Sequence, residues 1–62
     1  MDVARLAELL RDAEQQHARY EPTAPPHQWP DWYAAYVVSR EGGRTADEAY
    51  AEAVLHVQSA LR

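Results

Sequence analysis

The chain has 62 residues, with ten acidic side chains against six arginines and no lysine. A chain of this length forms at most one domain, and a domain of about 60 residues buries only about 60% of the surface that its unfolded chain exposes. Cysteine is absent, which excludes disulfides and thiolate zinc sites. The arginines are scattered, so we expect no nucleic-acid binding, and no apolar run approaches the roughly 20 residues of a membrane span.

A first helix is predicted over about residues 2–21, DVARLAELLRDAEQQHARYE. Its apolar residues recur every three or four positions and therefore share one face of a helix. The members of this stripe are Val3, Leu6, Leu10, Ala13, His17 and Tyr20, with Leu9 beside them. The N-terminus carries an early acid and has no small-residue cleavage site, which argues against a signal peptide. Together with the lack of cysteine, this favours a cytoplasmic protein.

A proline-rich connector, PTAPPHQ, follows at residues 22–28 and cannot continue the helix. Such a segment favours extended, stiff backbone. The second helix is predicted over about residues 30–41, because Pro30 suits the first helical turn and Gly42-Gly43 is a C-terminal signal. At about 12 residues this helix is marginal alone, so it must pack on something.

The third helix is predicted over about residues 45–62. Thr45 and Glu48 match the capping box, in which each side chain satisfies a free backbone N–H at the helix start. The apolar stripe of this helix ends at Leu61. No strand pattern is present, so the sequence predicts a single all-α domain of three helices. We expect the two longer helices to pair antiparallel, with the short aromatic helix closing the side.

The second helix carries an unusual density of aromatic side chains. On a helical wheel they cover about one side of the helix: Trp29, Trp32, Tyr33 and Tyr36. We expect Trp32 and Tyr36 in the core, and Trp29 and Tyr33 where their polar tips reach solvent or a partner. Val38 and Leu55 fall outside the apolar stripes and add exposed apolar surface, which favours an interface.

His17 occupies a position in the first helix where leucine is the default. Burying an imidazole without a hydrogen-bond partner is costly, and the expected partners are Asp31, a tyrosine hydroxyl or Glu21. His17 is therefore either a structural residue or the ionisable centre of a site. The candidate binding residues are His17, Tyr20, Glu21, Trp29, Asp31, Trp32, Tyr33 and Tyr36.

Metal binding and catalysis have weaker support. The pairs His17/Glu21 and His27/Asp31 share the i, i+4 spacing and could converge on one ion, but such pairs are common by chance. The chain has no cysteine nucleophile and no glycine-rich phosphate loop. We therefore assign no catalytic residue, no metal and no cofactor.

The pattern His17-x-x-Tyr20-Glu21, followed by WPDWYAAY at residues 29–36, resembles a tract of small actinobacterial proteins. It is also similar to helical extensions on some glyoxalase/bleomycin-resistance proteins of the vicinal oxygen chelate superfamily. The resemblance covers about residues 6–57. That superfamily builds its metal site from βαβββ units, and this chain has no predicted strand. The resemblance therefore implies a recurring helical module without the enzyme's function.

These observations favour a non-enzymatic helical interaction module, either a homo-oligomer or an accessory to a larger protein. The alternative is a small-molecule binding or catalytic site centred on His17, with Tyr20, Glu21, Asp31 and Trp32.

Overall fold

A computed structural model describes residues 1–60 of the chain. Its helices are α1 (Val3–Tyr20), α2 (Trp29–Glu41) and α3 (Ala46–Ala60), with a 3₁₀ turn at Glu21–Thr23 after α1. The described residues contain no strand, which confirms the all-α, three-helix class. The predicted end of the third helix, including Leu61, lies outside the described residues.

Local signals set the helix starts. The Asp2 carboxylate accepts a hydrogen bond from the Arg5 backbone N–H at 2.8 Å and caps α1. The predicted capping box of α3 is confirmed, because the Thr45 N–H donates to the Glu48 carboxylate at 2.9 Å. The Glu48 N–H donates in return to the Thr45 hydroxyl at 3.2 Å. These hydrogen bonds, from the backbone first and then the side chain of Thr45, lower the pKa of Glu48.

Helix α2 ends in a Schellman motif. The Gly43 N–H donates to the Arg40 carbonyl at 3.0 Å, and the Arg44 N–H donates to the Ser39 carbonyl at 3.1 Å. The motif requires a left-handed residue, and Gly43 supplies it with a φ of 95°. Glycine has no Cβ to penalise that conformation, so the sequence signal Gly42-Gly43 has a specific structural cause.

The arrangement of the helices differs from the expected one. The short helix α2 packs against both longer helices, most extensively against α3, while α1 and α3 have little direct contact with each other. Arg19 of α1 does reach α3, where it lies 3.6 Å from the Asp47 carboxylate and 4.2 Å from the centre of the Tyr50 ring. The aromatic helix is thus the centre of the fold and does not close its side.

The core is small, and aromatic rings of α2 fill its middle. Trp32 and Tyr36 are fully buried, as the helical wheel predicts, and stack with ring centres 5.3 Å apart. Among residues 1–60, nine are buried: Leu9, Ala13, Tyr20, Trp32, Tyr36, Val37, Ala49, Ala53 and Val57. Three of the nine are alanines, whose small side chains let the helices approach the large rings.

A polar contact joins α1 to α2 at the edge of this core. The Tyr36 hydroxyl donates to Asp12 Oδ2 at 2.7 Å, and Arg40 Nε donates to the same oxygen at 3.2 Å. Burial first, then the bond to Asp12 and its charge, raise the pKa of Tyr36 to about 12. This contact holds Asp12 against α2, and the neighbouring residue Ala13 faces the core.

Candidate functional site

The apolar stripe of α1 divides into two faces. Leu9, Ala13 and Tyr20 are buried in the core. At 100° per residue, the centre of the face that carries Val3, Leu6 and Leu10 points about 70° away from the core residues. These three side chains are 85%, 40% and 43% exposed. The predicted stripe is therefore only partly buried, and the core lies along the side of α1 marked by Leu9.

The exposed face of α1 forms one wall of a groove whose other wall is α2. The groove has a volume of about 350 Å³ and an apolar lining. Its lining residues are Leu6, Leu10, Trp29, Pro30, Tyr33, Ala34, Val37 and Val38. Trp29 and Val38 are 65% and 71% exposed, so the groove opens widely to solvent. An exposed apolar surface of this kind is typical of an interaction site.

Charged side chains of both signs flank one end of this apolar groove. Arg5 lies 3.6 Å from the Glu41 carboxylate of α2 and 3.6 Å from the Glu8 carboxylate on its own helix. All three side chains are substantially exposed. The rim of the groove is thus mixed in charge although the whole chain carries a net charge of −4.

Of the two predicted interface residues, Val38 lines the apolar groove and Leu55 does not. Leu55 lies on α3, where it is 58% exposed. The predicted aromatic residues also separate, because Trp29 and Tyr33 line the groove while Trp32 and Tyr36 are buried. Sequence reasoning missed Leu6 and Leu10 as surface residues. The sequence signal for their exposure was Leu9. With Leu9 beside the stripe, the apolar face of α1 is wider than the part that packs in the core, so some of this face stays exposed.

A second feature is a cluster of rings around His17. The imidazole centre lies 5.0 Å from the Tyr33 ring, 5.1 Å from Trp32 and 5.3 Å from His27. Tyr20 is near as well, at 6.4 Å. Burial, and then the carboxylates of Glu14 and Glu21, raise the pKa of Tyr33. The cluster brings together four helical residues of the predicted site, His17, Tyr20, Trp32 and Tyr33.

The hydrogen-bond partner of His17 is neither a carboxylate nor a tyrosine. His17 Nε2 lies 3.0 Å from His27 Nε2, across the connector. His27 Nδ1 lies 2.8 Å from the Pro25 carbonyl oxygen, which only accepts hydrogen bonds, so this nitrogen carries a proton. In neutral His27 the Nε2 atom is then a bare acceptor, and His17 Nε2–H donates to it. The expected partners Asp31, tyrosine hydroxyl and Glu21 are therefore wrong.

The two acidic residues predicted for this site lie outside the ring cluster. Glu21 is exposed in the 3₁₀ turn, and Asp31 is exposed at the start of α2. Asp31 lines a shallow cleft beside His27, together with Pro26, Gln28, Val57 and Ala60. The cleft measures about 290 Å³, at the lower limit of ordinary ligand pockets. Tyr36 also faces elsewhere, since its hydroxyl binds Asp12.

Two buried polar atoms near His17 have no hydrogen-bond partner among the described residues. They are the Tyr20 hydroxyl oxygen and Trp32 Nε1. Leaving such groups unpaired costs about 1–3 kcal/mol each. Burial, and then Tyr50, raise the pKa of Tyr20.

Comparison of the chain with models of known families, with curated proteins and with solved structures found no match. Within residues 1–60, no helix is both long enough and apolar enough to cross a membrane. The fold and the groove define a small all-α protein of three helices with an apolar surface between α1 and α2. The similarity to helical extensions of vicinal oxygen chelate proteins stays a prediction.

Proposed function

We propose that the chain is a non-enzymatic helical module that self-associates through the groove between α1 and α2. The observation that carries this proposal is the partly exposed apolar face of α1. Leu6 and Leu10 are 40% and 43% exposed, and no other side chain within residues 1–60 buries them completely. Surface of this kind is stabilised when a second apolar surface removes it from water.

A second copy of the chain suits the groove for two reasons. A scaffold this small, with nine buried residues and no disulfide, belongs to the class that often gains stability by oligomerisation. The mixed charges of Arg5, Glu8 and Glu41 also allow two identical faces to meet. In a symmetric dimer the arginine of one copy can approach a carboxylate of the other.

The dimensions of the molecule are compatible with such a dimer. The described chain measures 33 × 19 × 18 Å and exposes 4269 Å². A standard interface covers about 800 Å² of each partner, which is roughly a fifth of this surface. An interface of that size therefore has to extend beyond the lining of the groove and include exposed side chains at its rim, such as Val3 and Arg5.

The experiment compares two leucine substitutions on exposed helical surface. Leu10→Glu places a charge in the groove, and Leu55→Glu places the same charge on α3 outside the lining of the groove. Light scattering of the wild type is expected to give a mass rising with concentration toward about twice the chain mass of 7.1 kDa. The Leu10→Glu variant is expected to stay at the chain mass with its helical circular dichroism intact, and Leu55→Glu is expected to follow the wild type.

A wild type that stays monomeric up to several hundred micromolar would overturn self-association. An equal decrease of the mass in solution in both variants would show that the groove is not the contact.

We place the protein in the cytoplasm, for which the absence of cysteine is the supporting observation.

The alternative function, a small-molecule site centred on His17, has one supporting observation. His17, Tyr20 and Trp32 come together, and two of these residues have buried polar atoms without partners among the described residues. The substitution His17→Leu tests this alternative. The site requires that any ligand-induced rise in melting temperature disappears in the variant. A more stable variant that keeps the rise would rule the site out.

A further inference from the structure

The two histidines that meet across the connector have an arrangement that a metal ion can use. Their Nε2 atoms face each other at 3.0 Å, although ten residues separate them in sequence. We propose that His17 and His27 form a binding site for a divalent transition-metal ion of the zinc type, which ties the connector to α1. The site does not depend on self-association.

The hydrogen bond of His27 Nδ1 orients the His27 ring so that its other nitrogen can bind a metal. His27 Nδ1–H donates to the Pro25 carbonyl at 2.8 Å. Histidines that bind metals almost always donate their second ring N–H to a carbonyl, a carboxylate or water, which fixes the tautomer with the free lone pair toward the ion. In neutral His27 that lone pair is on Nε2 and points toward His17.

His17 is held in place by its neighbours. Tyr33 and Trp32 pack around the ring at 5.0 and 5.1 Å, and the side chain is half-buried on the rigid helix α1. A fixed ligand loses little conformational freedom on binding. His27 lies in the non-helical connector and is the partner that can adjust its position.

A bound ion requires only a small change in the distance between the two Nε2 atoms. Two nitrogens bound to a tetrahedral zinc ion at about 2.0–2.1 Å lie roughly 3.3–3.4 Å apart. The ion therefore requires the two Nε2 atoms to separate by a few tenths of an ångström, and each ring to turn by about 35° so that both lone pairs converge. When the ion binds through Nε2, neutral His17 takes its other tautomer: the proton on Nε2 passes to water and a proton is taken up at Nδ1, so the charge of the ring does not change.

Imidazole nitrogens suit zinc, copper and nickel, and bind magnesium and calcium poorly. Within the part of the chain that the structure describes, no third histidine or acid completes the group. Water then occupies the remaining positions on the ion, and His27 reaches water through the cleft that it shares with Asp31 and Gln28.

The test uses the full chain, zinc chloride and three glutamine variants. The variants His17→Gln and His27→Gln each remove one ligand. The variant His56→Gln removes the third histidine of the chain, which is exposed on α3, and serves as the matched control. At zinc concentrations about ten times the dissociation constant, the melting temperature of the wild type and of His56→Gln is expected to rise by about 6–11 °C. The His17 and His27 variants are expected to show no rise.

Imidazole resonances in nuclear magnetic resonance spectra give a readout that does not require the variants to fold. One equivalent of zinc is expected to shift the His17 and His27 signals together and to leave those of His56 unchanged. Unshifted His17 and His27 signals would overturn the proposal. So would a zinc-dependent rise in melting temperature that persists without His17 and His27 or disappears without His56.

Discussion

The hydroxyl of Tyr36 is expected to stabilise the fold by an amount that disappears in alkali. Tyr36→Phe removes the hydrogen bond to Asp12 at 2.7 Å and keeps the ring stacked on Trp32. A hydrogen bond to a charged group contributes about 1.5–3 kcal/mol, so the variant is expected to lose roughly 2 kcal/mol of unfolding free energy at pH 7.

The pH dependence of this loss follows from the pKa of Tyr36. Burial, and then Asp12, raise that pKa from 10.0 to about 12 in the folded state. Between these values the folded chain keeps a proton that the unfolded chain releases. The stabilisation is therefore complete below pH 10 and disappears as the pH rises through about 12. Two pKa units correspond to about 3 kcal/mol, which agrees in size with the hydrogen bond itself.

The assay is urea unfolding followed by circular dichroism, for the wild type and Tyr36→Phe, at several pH values from 7 to 12. Other tyrosines titrate in both proteins, so the difference between the two free energies isolates Tyr36. Tyr33→Phe is the matched control at pH 7, since Tyr33 is half-buried on the same helix and its hydroxyl has no hydrogen-bond partner within residues 1–60. A wild-type advantage over Tyr36→Phe that is absent at pH 7, or that persists unchanged to pH 12, would contradict this role of the Tyr36 hydroxyl.

Three further substitutions test the helix ends and the groove. Thr45→Ala removes one half of the α3 capping box and is expected to cost about 1 kcal/mol of unfolding free energy in urea titrations. Gly43→Ala forces a side chain into left-handed backbone and is expected to cost about 1–2 kcal/mol, more than Gly42→Ala, whose φ is −76°. Trp29→Ala removes a ring that is 65% exposed, or about 100–160 Å² of apolar surface. Burial of that surface is worth about 2.5–4 kcal/mol for each ring, so sedimentation is expected to show a dissociation constant at least about 60-fold higher.

The sequence predicted the helices because their boundaries depend on local chemistry. The capping box at Thr45, the proline near the start of α2 and the glycines after it each act within a few residues. The buried state of Trp32 and Tyr36 followed from helical period alone. The start of α2 differs by one residue from the prediction, because Trp29 precedes Pro30 inside the first turn.

The packing order of the helices was beyond local reasoning. Length favoured a pair of long helices, but the bulky rings of α2 and the small residues Ala49 and Ala53 of α3 fit together better. Helical period also placed Leu6 and Leu10 correctly on one side of α1. It could not show that the core lies along the side of Leu9, because that side packs on α2, which is distant in the sequence.

The meeting of His17 with His27 depends on how the connector returns to α1. The connector has no periodic signal, so the sequence offered Asp31 and Glu21 as equally good partners. The hydrogen bond to the Pro25 carbonyl orients His27, and it involves a backbone atom whose direction no residue pattern reveals.

Nuclear Overhauser effects between two copies of the chain show directly which surfaces meet when the protein self-associates. A mixed sample of isotope-labelled and unlabelled protein separates contacts between chains from contacts within one chain. Self-association through the groove predicts effects from the Leu6 and Leu10 methyl groups of one chain to the Trp29 ring of the other. Effects confined to Leu55, or no effect between chains at concentrations where the mass has doubled, would contradict it.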